Sequence, residues 1–426
     1  MRLGLTFITF SIAVSFIIGY FFNQPLLGSI FFLFSEFLAG IYLITYKGRK
    51  IELTDIRLLL YSAYLLYSIF YPSIMLIGLL PYKAEIVPTT ILFGTSFLGL
   101  NIANILSPVS FAKKTGKYLN NHRINKYSVV IHLILIFSFV VLLIKSGIPL
   151  NVRIGELSRG EIFKSVSQLW IVLVMLINAS SIYNIYYFNK LYKVEKIVFI
   201  AATLLYIYIQ LQLGNRRDYL PIILVSFCFF GILHNIKINL KVIGVISAIF
   251  LASFWITLRR NQSVIINNDN KVELAITSNE FIYPMQTLLY TIKDEWSFRF
   301  GYTYFIMPFE IIIPRSLYPN KPKTLGSEFV VKTFGKGYQG FAYTPTTEAY
   351  LNFGFLGPLL IFFVFGYFIN RLIKYTVVKN NWLYYLVFYS LVFDFSRGEF
   401  SSFIYQILIM FSFILMMRIK NFKMKL

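Results

Sequence analysis

The feature that most limits this chain is the recurrence of apolar runs about 20 residues long. They begin with "LGLTFITFSIAVSFIIGYFF" and return near the other end in "FSSFIYQILIMFSFILMM". A helix of that length crosses a hydrocarbon core of about 30 Å. Inside that core every backbone N–H and C=O must be satisfied by the protein itself, which only helices and closed barrels achieve. A barrel would show alternating segments of about ten residues, whereas these runs are continuous. The expectation is an all-α, polytopic integral membrane protein. Its 14% charged residues, against roughly one quarter in soluble domains, agree with that class.

Twelve spans are expected, at 4–22, 26–46, 58–80, 89–111, 128–145, 168–188, 197–213, 219–235, 242–258, 354–373, 382–395 and 400–417. The first has the charged start of a signal peptide, but its apolar stretch is too long and no small-x-small cleavage site follows, so it reads as an uncleaved span. Three regions result: 1–258 with spans one to nine, a large outer loop at 259–353, and 354–426 with the last three spans and a basic tail. The single cysteine, Cys228, excludes a disulfide framework within the chain.

The net charge of +22 raises the question of nucleic acid. With the N-terminus inside, the inner segments and adjoining helix ends hold 22 Lys and Arg, and the short outer loops hold eight. The other ten lie in 259–353, and long loops fall outside the positive-inside rule. The asymmetry places both termini in the cytoplasm. The charge is then a topology signal and an attraction to anionic membrane lipids, and no nucleic-acid partner is expected.

Arginine is disfavoured in short outer loops, yet it gathers there. The tetrapeptide Ser-Arg-Gly-Glu occurs at 158–161 and at 396–399, and "LGNRRDYLP" lies between the seventh and eighth spans. Arg159, Arg216, Arg217 and Arg397 thus sit beside helix ends on one face. Guanidinium forks of this kind suit a phosphate or diphosphate, to which they donate bidentate hydrogen bonds while staying charged at any working pH. The alternative is that each arginine snorkels to headgroups or pairs with a neighbouring acid. Asp218 beside Arg217, and Asp394 three residues before Arg397, are placed for such support.

The outer loop is not low in complexity. "NEFIYPMQTLLYTIKDEWSFRFGYTYFIMPFEII" has apolar residues at helical spacing, which predicts amphipathic helices lying on or tucked into the membrane surface. Pro314, Pro319 and Pro322 then punctuate a turn edged by Arg315, Lys321 and Lys323. Glu348 precedes the tenth span. It fits a first-turn acid behind a Thr346 or Thr347 cap, and equally a general base near the arginines. Tyr302, Tyr304, Tyr338 and Tyr343 suit either an interfacial belt or stacking on sugar rings. Glu36, in the middle of the second span, is an ionisable group at membrane depth with no role assigned by the sequence. His122, His132 and His234 map to the inner side or the inner halves of spans.

The plan of twelve spans with one large late outer loop resembles the Wzy-type O-antigen, or oligosaccharide repeat-unit, polymerases. "SGIPL" at 146–150, "LGNRRDYLP", "PRSLYPNKP", "TEAYLNFGFLG" and the late "SRGEF" are similar to local features of that family. The resemblance implies a GT-C-like membrane glycosyltransferase of the bacterial inner membrane, with its active site facing the periplasm. It implies undecaprenyl-diphosphate-linked oligosaccharides as donor and acceptor, and a chain-length regulator as a partner. A hydroxyl of the incoming unit would attack the anomeric carbon of the growing glycan and displace undecaprenyl diphosphate. The leaving charge would rest on Arg159, Arg216, Arg217, Arg397 and Arg315 in place of a metal or other cofactor, since no DxD-like pair lies on the outer face. Glu348 would be the base, with Asp218, Glu161 and Glu399 as other acids available. O-antigen ligases share the plan but typically carry an outer histidine. A lipid-linked oligosaccharide flippase is the rival from another class.

Overall fold

A computed structural model describes residues 2–45, 52, 54–109, 124–148, 169–213, 216–234, 281–313, 317–335, 342–379 and 381–419. The expected ninth span, the first Ser-Arg-Gly-Glu segment with Arg159, and Arg315 lie outside these residues. Every regular element among the described residues is helical. In chain order they are α1 (Arg2–Phe21), α2 (Pro25–Thr45), α3 (Ile56–Leu76), α4 (Ile86–Leu106), α5 (Ser128–Lys145), α6 (Leu169–Tyr186), α7 (Lys193–Gln212) and α8 (Arg216–His234). The late loop contributes α9 (Tyr283–Lys293), α10 (Tyr302–Phe305), α11 (Met307–Ile312) and α12 (Leu325–Phe334). The chain then forms α13 (Pro345–Phe353), α14 (Gly357–Lys379), α15 (Trp382–Ser390), α16 (Val392–Arg397) and α17 (Phe400–Arg418).

Eight stretches among the described residues are long and apolar enough to cross a membrane: α2 to α7, the run Pro345–Lys379, and α17. The chain is therefore a polytopic, membrane-embedded helical protein. Two expected spans take another form. The run read as 382–395 is two short helices, with the Leu391 N–H turning back to the Phe388 carbonyl at 3.2 Å between them. The helix read as 219–235 starts earlier, at Arg216, so Arg216, Arg217 and Asp218 occupy its first turn. The tenth span likewise acquires α13 as an extension across a short 3₁₀ turn.

The described residues group into two compact units. One takes its residues from 1–112, 267–375 and 392–405; the other from 113–266, 376–391 and 406–426. In the first, α2 packs on α1, α3 and α4, while α9 and α13 lean on α4 and α16 on α3. Small residues allow the close approaches, as expected between helices that gain little hydrophobic free energy from each other in lipid. A Cβ added to Gly99 would come within 2.4 Å of the Leu359 carbonyl, and one added to Gly40 would meet the Tyr61 ring at 2.0 Å.

A buried polar ladder threads these helices. Asn101 donates to the Glu36 carboxylate at 2.8 Å and accepts from the Tyr61 hydroxyl at 2.7 Å. Asn104 donates to Tyr61 at 3.2 Å, and its oxygen accepts from Asn370 at 3.1 Å. The Asn370 oxygen accepts from Arg57 at 3.3 Å, and Arg57 closes the series on Asp55 at 2.6 Å. Asp55 also caps α3, accepting the Arg57 N–H at 3.0 Å. Glu36, unassigned by the sequence, is thus a partner of Asn101.

The late loop is a folded helical body. Its core consists of Trp296, Met307, Leu325, Phe329, Val330, Tyr343 and Leu351, with Tyr290, Tyr302 and Phe334 against it. In the second unit α5 packs on α6 and α7, and α8 on α6, α7 and α15. His132 is fully buried there, its two ring nitrogens 2.7 Å from Ser180 Oγ and 3.1 Å from Thr203 Oγ1, which satisfies it as a structural residue.

A methyl group at Gly99 must push against backbone, and overpacking of this kind costs roughly 1–3 kcal/mol. Gly99→Ala is expected to lower the thermal midpoint of the purified protein in detergent. Ile91→Ala, at a half-exposed position of the same helix, should leave it nearly unchanged; equal midpoints for the two variants would contradict the close α4–α14 crossing.

Candidate functional site

The sequence "YTPTTEAYLNF" folds as α13 because Pro345 has its φ preset for the first helical position and needs no N–H there. The cap is then Thr344, whose hydroxyl accepts the Thr347 N–H at 3.2 Å. This corrects the expectation of Thr346 or Thr347. Thr346 instead faces Tyr64 and Ser96, with its hydroxyl bonded to the Tyr64 hydroxyl and 2.8 Å from Ser96 Oγ. Thr347 stands 2.8 Å from Thr344 Oγ1.

Glu348 is fully buried. Its carboxylate does not serve its own helix. Oε2 accepts the backbone N–H of Phe400, the first residue of α17, at 2.6 Å. Oε1 is buried with no hydrogen-bond partner among the described residues. A negative group at a helix N-terminus is favoured by the exposed N–H groups and the helix dipole. Asn352, one turn along, ties the α13 end down by donating to the Glu348 carbonyl and to Thr303 Oγ1, each at 2.7 Å, while accepting the Gly301 N–H at 2.9 Å.

The second Ser-Arg-Gly-Glu segment lies at the same joint. Arg397 ends α16, half-buried, and Glu399 is buried just before α17. Glu399 Oε2 accepts the Leu325 N–H at 2.5 Å and the Gly326 N–H at 3.4 Å. It therefore supplies the side-chain cap that Thr324 does not give α12. Two acids, Glu348 and the last residue of the tetrapeptide, thus each hold the N-terminus of a helix other than their own. Asp394 is buried on α16, which touches α13.

Aromatic side chains enclose this joint. The Tyr304 ring lies 5.0 Å from Phe400 and 6.0 Å from Phe353. Burial, and then the negative charge of Glu348, push the Tyr304 phenol well above its ordinary value. Tyr304 therefore stays protonated at any physiological pH. Tyr343 belongs to the loop core, with its ring 6.4 Å from Trp296 and 6.1 Å from Phe329. Burial raises its phenol too. Tyr302 is pushed up to about 12 by desolvation and by its hydrogen bond to Glu310.

Of the residues singled out by sequence, the first unit brings together Glu348, Arg397, Asp394, Glu399 and Tyr343. Arg216, Arg217 and Asp218 belong to the second unit. There Asp218 is buried, accepts the Trp170 indole N–H at 3.1 Å, and has its own carbonyl 3.3 Å from the Tyr206 hydroxyl. Sequence reasoning named Tyr304 as a belt or stacking residue but did not find Trp296 or the Thr346–Tyr64–Ser96 contact, because nothing local marks a partner hundreds of residues away. Among the described residues no group of three or more His, Cys, Asp or Glu side chains is arranged to hold a metal ion. No family model matches this sequence, no curated protein matches it, and no solved structure matches it.

Removing a helix cap costs about 0.5–2 kcal/mol. Glu399→Ala should therefore speed amide exchange over Leu325–Phe334 by up to about thirtyfold, which corresponds to that range. Exchange over α3 should not change. Hydrogen-exchange mass spectrometry of the variant beside the parent protein would read this directly, and unchanged protection of α12 would remove Glu399 as its cap.

Proposed function

We propose that this protein is a membrane glycosyltransferase that joins lipid-diphosphate-linked saccharide units, the polymerase chemistry of the family it resembles. The observation that carries the reading is the state of Glu348. One oxygen is fixed on the Phe400 N–H, and the other is buried without a partner. A buried polar atom left unsatisfied costs free energy, and a hydroxyl that gives up its proton there would relieve that cost. Tyr304 OH, Trp296 Nε1 and Ser401 Oγ are buried without partners as well. Unpartnered polar atoms and aromatic rings are the chemistry that suits sugar hydroxyls and sugar faces.

In the proposed step the acceptor oxygen forms a bond to the anomeric carbon of the donor glycan. The bond from that carbon to the diphosphate oxygen breaks, and its electron pair leaves with undecaprenyl diphosphate. The hydroxyl proton passes to Glu348 Oε1. Arg397 is assigned to the diphosphate charge. Asp394, on the same short helix, orients it, and Tyr343 stands in the loop core. A single displacement inverts the anomeric centre. The site faces the periplasm of a bacterial inner membrane, with both termini in the cytoplasm and a chain-length regulator as partner.

Glu348→Gln separates the two duties of this residue. The amide carbonyl still accepts the Phe400 N–H, but the base is gone. General-base loss lowers rates by about 10²–10⁴, so the surface glycan of a strain carrying the variant should collapse from a ladder to a single unit, with the protein still in the membrane. A ladder of wild-type length would overturn the assignment. Disappearance of the single unit as well would point to export or attachment, as in a flippase or a ligase.

A further inference from the structure

Several large apolar side chains of the late loop have nothing packed over them. Phe300 is 84% exposed, and Phe305 and Phe309 are each 69% exposed. Phe298, Phe355 and Leu356 are exposed beside them. Contiguous apolar surface of this kind on a folded body marks an interaction site. We propose that this aromatic ridge, formed by the 298–300 turn and by α10 and α11, is a wedge that enters the acyl-chain region of one bilayer leaflet.

Three observations choose lipid over a protein partner. The first is continuity. Phe300 lies 6.4 Å from Phe298, Phe298 6.1 Å from Tyr350, and Tyr350 5.5 Å from Phe355. Phe355 leads straight into α14, whose Leu360 and Val364 are exposed on a stretch apolar enough to span a membrane. The ridge thus prolongs the exterior of a membrane helix.

The second is the backbone. Phe300 has φ 46°, in the left-handed region that a side-chain-bearing residue adopts only at a cost. Two hydrogen bonds hold the turn there: the Arg299 N–H to the Leu351 carbonyl and the Gly301 N–H to Asn352 Oδ1, each 2.9 Å. The turn is thereby fixed with the phenyl ring outward.

The third is charge. Within the segment 298–313 the ionised groups are engaged: Arg299 is paired with Glu328, and Glu310 accepts from Tyr302. The exposed Lys293, Asp294 and Glu295 precede that segment, and the exposed Lys323 follows it in the chain. An apolar face whose own charges are paired, with charged residues before and after it in the chain, matches the interface of a leaflet.

The proposal does not depend on the saccharide reading. It is tested on the full chain in vesicles of phosphatidylcholine and phosphatidylglycerol, carrying Cys228→Ser and one nitroxide label at Phe305→Cys, Phe309→Cys or Lys323→Cys. Labels at 305 and 309 should collide more with oxygen than with an aqueous nickel reagent, and the label at 323 should show the reverse. Water-like collisions at 305 and 309 would overturn the wedge, as would shielding from both reagents, which means a protein covers the ridge. Phe309→Trp in the otherwise unaltered chain gives a second reading. Brominated acyl chains should quench the added emission, and a lack of quenching would count against the wedge whatever becomes of the cysteine variants.

Discussion

Two carboxylates govern the late half of the first unit, and both act on backbone N–H groups. Glu348 takes the first N–H of α17, and Glu399 takes those of Leu325 and Gly326 at the start of α12. A helix that begins inside a protein in a membrane has no water to satisfy its leading N–H groups, so these must be met by something the protein brings. An acid meets them better than a neutral group, because the helix dipole favours the negative charge. The positions of α12, α13 and α17 thus follow from one requirement. The late loop can then build its own core around Trp296, Phe329 and Tyr343 rather than lying as separate helices on a surface.

The same requirement shapes the spanning helices. The ladder from Glu36 through Asn101, Tyr61, Asn104 and Asn370 to Arg57 and Asp55 places each polar group against another. Each member therefore fixes the rotation of its helix about its axis, a specification that apolar contacts in lipid provide only weakly. Small residues at the crossings complete it, since the helices can exchange these bonds only where their backbones come close.

Much of the span plan was legible because length and apolarity are local properties. Helices α2 to α7 fall where the apolar runs lie, within a few residues. The break at Leu391 was hidden, because the run from Trp382 to Phe395 stays apolar across it. The cap of α13 has a signal in the sequence, since Pro345 at the first helical position makes its predecessor the cap, but the adjacent threonines match the same cap preference. Glu348 and Glu399 were recognisable as acids near a membrane helix, but their donors were not, since capping in trans leaves no periodic trace. Tyr343 read as a belt or stacking residue because apolar spacing reports which face is buried and not what covers it.

The first unit is assembled from three stretches of chain, and its key bonds join their extremes. Arg57 meets Asn370 across 313 positions, Tyr64 meets Thr346 across 282, and Glu348 waits for an N–H 52 residues further on. During synthesis the early helices enter the membrane with Arg57 and Tyr64 still lacking these partners. The Glu348 carboxylate emerges before the helix it will hold. This unit can close only once Phe400 has been made and has reached the membrane. Any chain stopped short of Phe400 would leave an open carboxylate within the half-built bundle.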